Sequence, residues 1–380
     1  MKIVWFSEVK WAYLTHRHHQ IIKQFPDDWQ VLFIENYVLG RENHFKPQRD
    51  GRVTYATVPT FKPTNRVFID YLQSLRFFRW IVTFVTSCWV RYLLRSTGFH
   101  TKERVLITSN IFFGQVVDSL RASVKVYDCN DYPMGFSDSL SCTEEFFSMT
   151  IGMADVVITV TEKLKEDVQE YGPSRVQVIG NGVDVELFGK TSLEIPEDVQ
   201  GLKGPIVLYA GVISDWFDFE LMGLCAQTYP DVEFVIVGPV INPKVRGMVE
   251  ESGKRPNVHF MGMKPHDVLP AYIRASRLCW IPFKKNSLIE RFSPNKLFEY
   301  AAGGRSVVTL DYTKEIIDLS SMVYVATTAQ DFVQMVGDGI TAPPKESSLV
   351  EFAKANSWRS KSQEFAETIT RLKENTHAVL

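Results

Sequence analysis

The sequence predicts an α/β protein made of two doubly wound, mostly parallel sheets, and three observations carry that reading. At 380 residues the chain exceeds one typical domain. Short Val- and Ile-rich runs alternate along it with stretches of helical length, as parallel strands joined by crossover helices require. A polar break with several glycines, NGVDVELFGKTSLEIPEDVQGLKGP, separates the runs into two series near residues 182 to 204. A single (β/α)8 barrel is the structural rival, and the break argues against it.

Taken in order, KIVWFS, WQVLFIE, RVLITS, VKVYDC and DVVITVT read as the strands of the first series. PIVLYAG, VEFVIVG, VHFMG, LCWIPF and SVVTLD read as those of the second. The apolar run in MKIVWFSEVKW is too short for a signal peptide and has no cleavage pattern, so it is taken as the first core strand. The expected domains are 1–185 and 186–357, with a closing helix at about 358–380 packing back on the first. A loop, TAPPKESS (341–348), precedes a last helical region at roughly 349–375. Ligands of open α/β sheets bind at the carboxyl ends of the strands. Two such domains are therefore expected to face a central cleft.

Composition bounds the function. Hydrophobic residues (45%) and aromatics (13%) suffice for sizeable cores and exclude a disordered chain. A net charge of −2 supplies no bulk field for nucleic acid or an anionic membrane. Five cysteines (Cys88, Cys129, Cys142, Cys225, Cys279) lack any CxxC or Cys/His metal spacing and read as reduced thiols of a cytosolic protein. The longest uncharged apolar run, WIVTFVTSCWV at 80–90, is too short to span a bilayer. Its surroundings are basic and aromatic: Phe61 to Arg104 holds eight Lys/Arg, two acids (Asp70, Glu103) and ten aromatics. Arg76 and Arg79, then Arg91 and Arg95, fall at helical spacing. Two readings stay open here. One is a surface that lies on a membrane; the other is a buried helix edged by snorkelling arginines.

The stretch SPNKLFEYAAGG (293–304) raises a question of charge. It reads as a short helix with Pro294 at its start and Gly303-Gly304 at its end. Lys296 in the first turn has the wrong sign for a helix N-terminus, by about 0.3–1 kcal/mol. An anion bound there removes the conflict, because the free amides of a first turn cradle phosphate. Glu299 lies on the same face and can accept hydrogen bonds from a ribose diol. The bland alternative is an exposed Lys–Glu pair.

These residues also carry a resemblance. PNKLFEYAAGG resembles the donor-binding element of GT-B glycosyltransferases, closest to the family 4-type (group 1) enzymes of polysaccharide and glycan biosynthesis. VIGNGVDVELF (178–188) is similar to their interdomain signature, and VVITVTEKL (156–164) to the strand and helix before it. PHDVLPAYIRASRLCWIPF (265–283) resembles the segment leading to the donor loop, and NSWRSKSQEF (356–365) the closing helix. The likeness covers residues 124 to 365 in order. It implies two Rossmann-like domains and transfer of a sugar from a UDP- or GDP-sugar to a hydroxyl of a glycan or lipid-linked acceptor. It also implies retention of configuration, and neither cofactor nor metal. The base is expected near FMGMKP (260–265), through Gly262 and Met263. Gly211, Ser293, Pro294, Asn295 and Lys296 are expected around the diphosphate, and Glu299 at the ribose. The expected setting, read from the cysteines, is the cytoplasm, with contact at the inner face of a membrane through residues 61–104 left open.

There are departures. Where the family has a glutamate eight residues before Glu299, this chain has Arg291, with Glu290 one residue out of phase. Where many members have an arginine after the glycine of the first strand, Val212 follows Gly211. Arg291 and Lys296 are then expected to supply most of the positive charge. A similar WFDFEL stretch and PNKLFEY mark a subset of the superfamily that includes some glucuronosyl- and mannosyltransferases of exopolysaccharide assembly.

In the first domain, VYDCNDYPMGF (126–136) places Asp128 and Asp131 at a strand's carboxyl end, where either could orient an acceptor or act as a general base. A base there makes inversion the alternative outcome. His16, Arg17, His18 and His19 crowd the start of the first helix, and His16 and Arg17 are candidates for acceptor contact. The alternative is a solvated helix start. Glu144 and Glu145 read as solvated or capping. A nucleotide-sugar epimerase, a phosphorylase or a catalytically inactive GT-B scaffold are the remaining alternatives.

Overall fold

The computed structural model describes residues 1–12, 16–60, 67–136, 139–293, 295–342 and 346–378. The chain divides into two compact units, Met1–Gly180 with Lys361–Leu380, and Asn181–Ser360. The first unit is built on an eight-stranded sheet. Its strands are β1 (Lys2–Ser7), β2 (Gln30–Asn36), β3 (Gln48–Asp50), β4 (Val53–Val58), β5 (Val105–Thr108), β6 (Val124–Cys129), β7 (Val156–Thr159) and β8 (Val176–Val178). They lie in the order β3-β4-β2-β1-β5-β6-β7-β8, with β3 antiparallel to β4 and the other pairs parallel. β1 is central and pairs Val4 with both Leu32 and Leu106. Ile3, Val4, Trp5 and Phe6 are all fully buried, which is why KIVWFS is continuously apolar rather than alternating. Helix α1 (Arg17–Lys23) covers this sheet. So does the C-terminal helix Trp358–Ala378, through a Phe365 ring stacked on Trp5 at 5.6 Å and a Ser362 hydroxyl donated to the Ile21 carbonyl at 2.9 Å.

The second unit carries a six-stranded parallel sheet. Its strands are β9 (Ile206–Ala210), β10 (Glu233–Val237), β11 (Val258–Gly262), β12 (Leu278–Ile281), β13 (Val307–Leu310) and β14 (Tyr324–Ala326), in the order β11-β10-β9-β12-β13-β14. Trp280 on β12 lies at the centre of its core, 5.1 Å from the Phe234 ring and 6.1 Å from Phe332. All ten strands read from the sequence are present. β3, β4, β8 and β14 are additional: β3, β8 and β14 are three residues each, too short to leave a periodic signal.

Two expectations change. The segment after residue 180 is not a bare linker. It forms the helices Val185–Phe188 and Glu197–Gln200 and buries Val183, Phe188 and Val199 in the second unit's core. Val183 also bridges Ser357. Three apolar side chains placed among polar ones are enough to dock it, and composition averages them away.

The buried-helix reading of residues 80–90 fails as well. Helices α2 (Val67–Ser74) and α3 (Arg76–Ser96) turn Phe77, Trp80 and Phe84 outward, while Arg79, Thr86 and Ser87 are buried. The inward polar groups are satisfied by the body of the unit. Arg79 pairs with Glu145 at 2.8 Å and lies 5.5 Å over the Phe146 ring. Thr83 donates to Gln115 at 2.8 Å, and Thr86 donates to the Pro59 carbonyl. Among the described residues no helix is long and apolar enough to cross a membrane.

Candidate active-site groups and family

In the second unit β9, β10 and β11 all run out at a glycine: Gly211, Gly238 and Gly262. The Gly211 amide donates to Val237 O at 2.7 Å, and the Gly238 amide to Gly262 O at 2.8 Å. A Cβ on Gly238 would collide with the Gly211 carbonyl, and one on Gly211 with the Lys296 side chain. Gly262 has a φ of 68°, a conformation that favours glycine, and Met263 beyond it is exposed. The sequence did not single out Gly238, although a third strand closing on glycine was its signal.

Lys296 lies on the helix Asn295–Ala302, which Tyr300 ties to β9 by accepting the Ala210 amide at 2.8 Å. This fixes the Lys296 side chain against Gly211. Its ammonium stands 5.5 Å over the Tyr209 ring and 5.6 Å over the Phe283 ring, contacts of the cation–π kind. Burial lowers its pKa, and the Glu299 charge opposes that shift without forming an ion pair. The exposed Lys–Glu pair is thus not what the helix carries. Glu299, one turn on, faces His266 instead, with 3.7 Å between Oε1 and Nε2. The His266 ring meets Phe188 edge-on at 5.2 Å. His266 was missed; its place just after the FMGMKP loop was the available signal.

The other residues expected around the donor are placed as follows. Ser293 is buried and its carbonyl accepts from Asn181 Nδ2 at 2.8 Å. Pro294 lies outside the described residues. The Asn295 Oδ1 is buried without a hydrogen-bond partner at the helix start. Arg291 ends a single 3-10 turn, Ile289–Arg291. Its Nη1 donates to Ser287 O at 2.6 Å and stands 3.9 Å from Glu290. Val212 gives its carbonyl to the Tyr209 hydroxyl at 2.7 Å.

In the first unit the ends of β1, β5 and β6 enclose a cavity of about 200 Å³ lined by Glu8, Ser109, Asn110, Tyr127 and Asp131, with Phe112, Pro133 and Phe136 among its apolar walls. Glu8 accepts from Ser109 Oγ at 2.6 Å and from Asn130 Nδ2 at 3.2 Å. Burial, then the charges of Glu8 and Asp128, push the Asp131 carboxyl up to about 7. Glu8 was missed because its hydrogen-bond partners, Ser109 and Asn130, are more than a hundred residues away in sequence.

Asp128 is a correction. It is fully buried, and both carboxylate oxygens accept from Arg17 Nε at 3.2 Å. Burial raises its carboxyl above the usual range against the pull of Arg17. Arg17 is itself buried and also donates to Gly180 O at 2.8 Å. The pair ties α1 to β6 and the end of the first chain segment, so neither a base role for Asp128 nor acceptor contact by Arg17 fits this arrangement. The solvated helix start is corrected too. His18 and His19 are buried, with His18 Nε2 3.1 Å from the Ser7 hydroxyl. Burial and then neighbouring histidines hold His19 at about 2, and His18 is also lowered well below the ordinary value, so both are neutral. His16 is half-buried, its amide donating to His19 Nδ1 at 3.1 Å, and burial lowers its pKa. Glu145 holds Arg79, and Glu144 accepts from the Tyr171 hydroxyl at 3.3 Å. Among the described residues no cluster of three or more His, Cys, Asp or Glu is arranged to hold a metal ion.

Residues 205–353 match the family described as glycosyl transferases group 1, and residues 139–187 match Glycosyltransferase Family 4. The putative teichuronic acid biosynthesis glycosyltransferase TuaH of Bacillus subtilis (strain 168) is 27% identical over 197 residues, 48% of this chain and 49% of that protein. The chain thus matches about half the length of this curated relative. Among solved structures, the Escherichia coli trehalose-6-phosphate protein bound with UDP-2-fluoro glucose aligns at a TM-score of 0.72 and 11% identity, over 98% of this chain and 99% of that one. Sucrose-phosphate synthase of Thermosynechococcus elongatus aligns at 0.71 and 13% identity, over 98% of each chain. Anabaena HepE in complex with UDP and glucose aligns at 0.66 and 17% identity, over 97% and 99%. These structural likenesses are likenesses of fold. With two family regions in chain order on a framework of two doubly wound units, the chain has the GT-B fold and carries a group 1 glycosyltransferase region at residues 205–353.

Proposed function

We propose that this chain transfers a sugar from a UDP- or GDP-sugar to a hydroxyl of a glycan or lipid-linked acceptor, with retention and without a metal ion. The observation that carries the reading is Lys296, a cation held against the Gly211 backbone with no carboxylate at ion-pair distance among the described residues. Its charge is costly there until an anion arrives, and the diphosphate of a nucleotide sugar is an anion of the right kind. Three strand ends closing on glycine let such a ligand approach the backbone. Glu299 then accepts hydrogen bonds from the ribose hydroxyls, with His266 beside it. As the bond to the sugar breaks, negative charge grows on the leaving diphosphate. Lys296 and the first-turn amides of its helix stabilise that charge, with Arg291 as a further cation.

The acceptor is assigned to the first unit's cavity, where Glu8 and Asp131 can accept hydrogen bonds from sugar hydroxyls and the aromatic wall can pack on a sugar face. A second reading has its own support: a carboxyl at about 7 is matched to general-base work, and Asp131 in that role gives inversion. The five free cysteines favour a reducing, cytoplasmic setting, and residues 61–104 are assigned to the inner face of a membrane. The test is a thermal-shift screen with UDP, GDP and ADP, followed by acceptor-dependent release of the nucleoside diphosphate. The anomeric configuration of the product, read by NMR, decides between retention and inversion. An isomerised but still nucleotide-linked sugar would replace this reading with an epimerase.

A further inference from the structure

The exposed face of α2 and α3 carries most of the exposed aromatics among the described residues. Among the described residues, every exposed aromatic lies between Tyr37 and Tyr92. Phe68, Phe77 and Trp80 are 71%, 74% and 64% exposed, more than many loop residues reach. Phe77, Trp80 and Phe84 form a stacked ridge, with centroids 6.4 and 5.9 Å apart. The ridge is held by the opposite side of α3, where Arg79 binds Glu145 and Thr83 binds Gln115. Over the first half of α3 the usual packing is inverted, with Arg79, Thr86 and Ser87 inward and Phe77, Trp80 and Phe84 outward, while Val90, Leu93 and Leu94 anchor its second half in the core. A patch of this kind in water calls for an occupant.

Charge identifies the occupant. Arg91 and Arg95 are exposed on the ridge's face toward its C-terminal end, and Arg76 is exposed at its start. The one acid of α2 and α3, Asp70, is half-buried and accepts from Gln73 at 3.3 Å. Aromatics that insert at headgroup level, edged by arginines, match an anionic lipid surface. A helix that is too polar to cross a bilayer and pinned along one side lies in the interface plane. We infer that α2 and α3 dock this chain on an anionic bilayer, with Phe77, Trp80 and Phe84 inserted and Arg76, Arg91 and Arg95 on lipid headgroups. This deepens the membrane assignment made above and does not depend on the transfer chemistry.

The full chain is co-sedimented with vesicles of phosphatidylcholine alone and with vesicles that also contain phosphatidylglycerol. Binding is expected to the anionic vesicles and to weaken with salt. Trp80→Ser with Phe84→Ser should lower the partition coefficient by about tenfold or more. Arg91→Glu or Arg95→Glu should lower it by at least about fivefold each. The aromatic variant should keep the thermal shift given by UDP or GDP, which separates lost docking from a lost fold and from failure of the donor reading. Two results overturn the inference: no binding to either vesicle, or a concentration-dependent dimer in light scattering that the aromatic variant abolishes while vesicle binding is absent.

Discussion

The strand ends of the second unit gather around a cation, Lys296, whereas those of the first unit gather two carboxyls, Glu8 and Asp131. Both sets of charges are partly desolvated, and each is shifted toward neutrality: Lys296 downward, Asp131 upward to about 7. The surroundings differ. Lys296 is surrounded by glycine backbone and the rings of Tyr209 and Phe283. The carboxyls are surrounded by Ser109, Asn110, Asn130 and aromatic walls, which suit hydroxyls. Burial raises the cost of a charge wherever it lies. The neighbours decide which ligand relieves it.

The comparison can be broken at the cation first. Lys296→Ala should reduce kcat/KM about 10²-fold or more with an unchanged circular-dichroism spectrum. Normal turnover in that variant would remove the phosphate argument. Next is Glu299→Ala, expected to weaken UDP or GDP binding by about tenfold in calorimetry, the loss of a charge-assisted hydrogen bond. An unaltered dissociation constant would separate Glu299 from the ribose.

On the carboxyl side, Asp131→Asn tests the shift itself. The folded carboxyl keeps its proton up to about 7, while the unfolded one releases it near 3.8. Between those values the folded state binds more protons, so this group's stabilising contribution is lost as pH rises through about 7. The wild-type melting temperature should therefore fall more between pH of about 5 and 8 than that of the Asn variant. Equal slopes would deny the raised carboxyl. The smallest effect expected is that of Glu8→Gln, which removes one charge facing Asp131. Any inflection of rate with pH near 7 should move to lower pH, by less than about one unit. A move to higher pH would contradict the assigned neighbours.

Much of the fold was legible because it is written in local periodicity. Most of the runs that became the ten recognised strands are apolar on both faces, as parallel strands in a covered sheet are. β8 and β14 were not legible because three residues carry no period. The helix Asn295–Ala302 was singled out through one residue of the wrong sign, Lys296. Asp128 was read as a candidate because it ends a strand, and local sequence could not reveal its partner: Arg17 is 111 residues away.

The sequence by itself determined the alternation of strand and helix, the division into two series, and the close spacing of Lys296 and Glu299 on one short helix. Each depends on residues within one or two turns of one another. Tertiary structure alone decided that Asp128 is spent on Arg17, that Glu8 joins Ser109 and Asn130, and that the aromatics of α3 face outward. Those outcomes depend on which distant groups satisfy a buried charge or hydroxyl. An inward Arg79 is tolerable because Glu145, 66 residues later, and the Phe146 ring beside it are there to receive it.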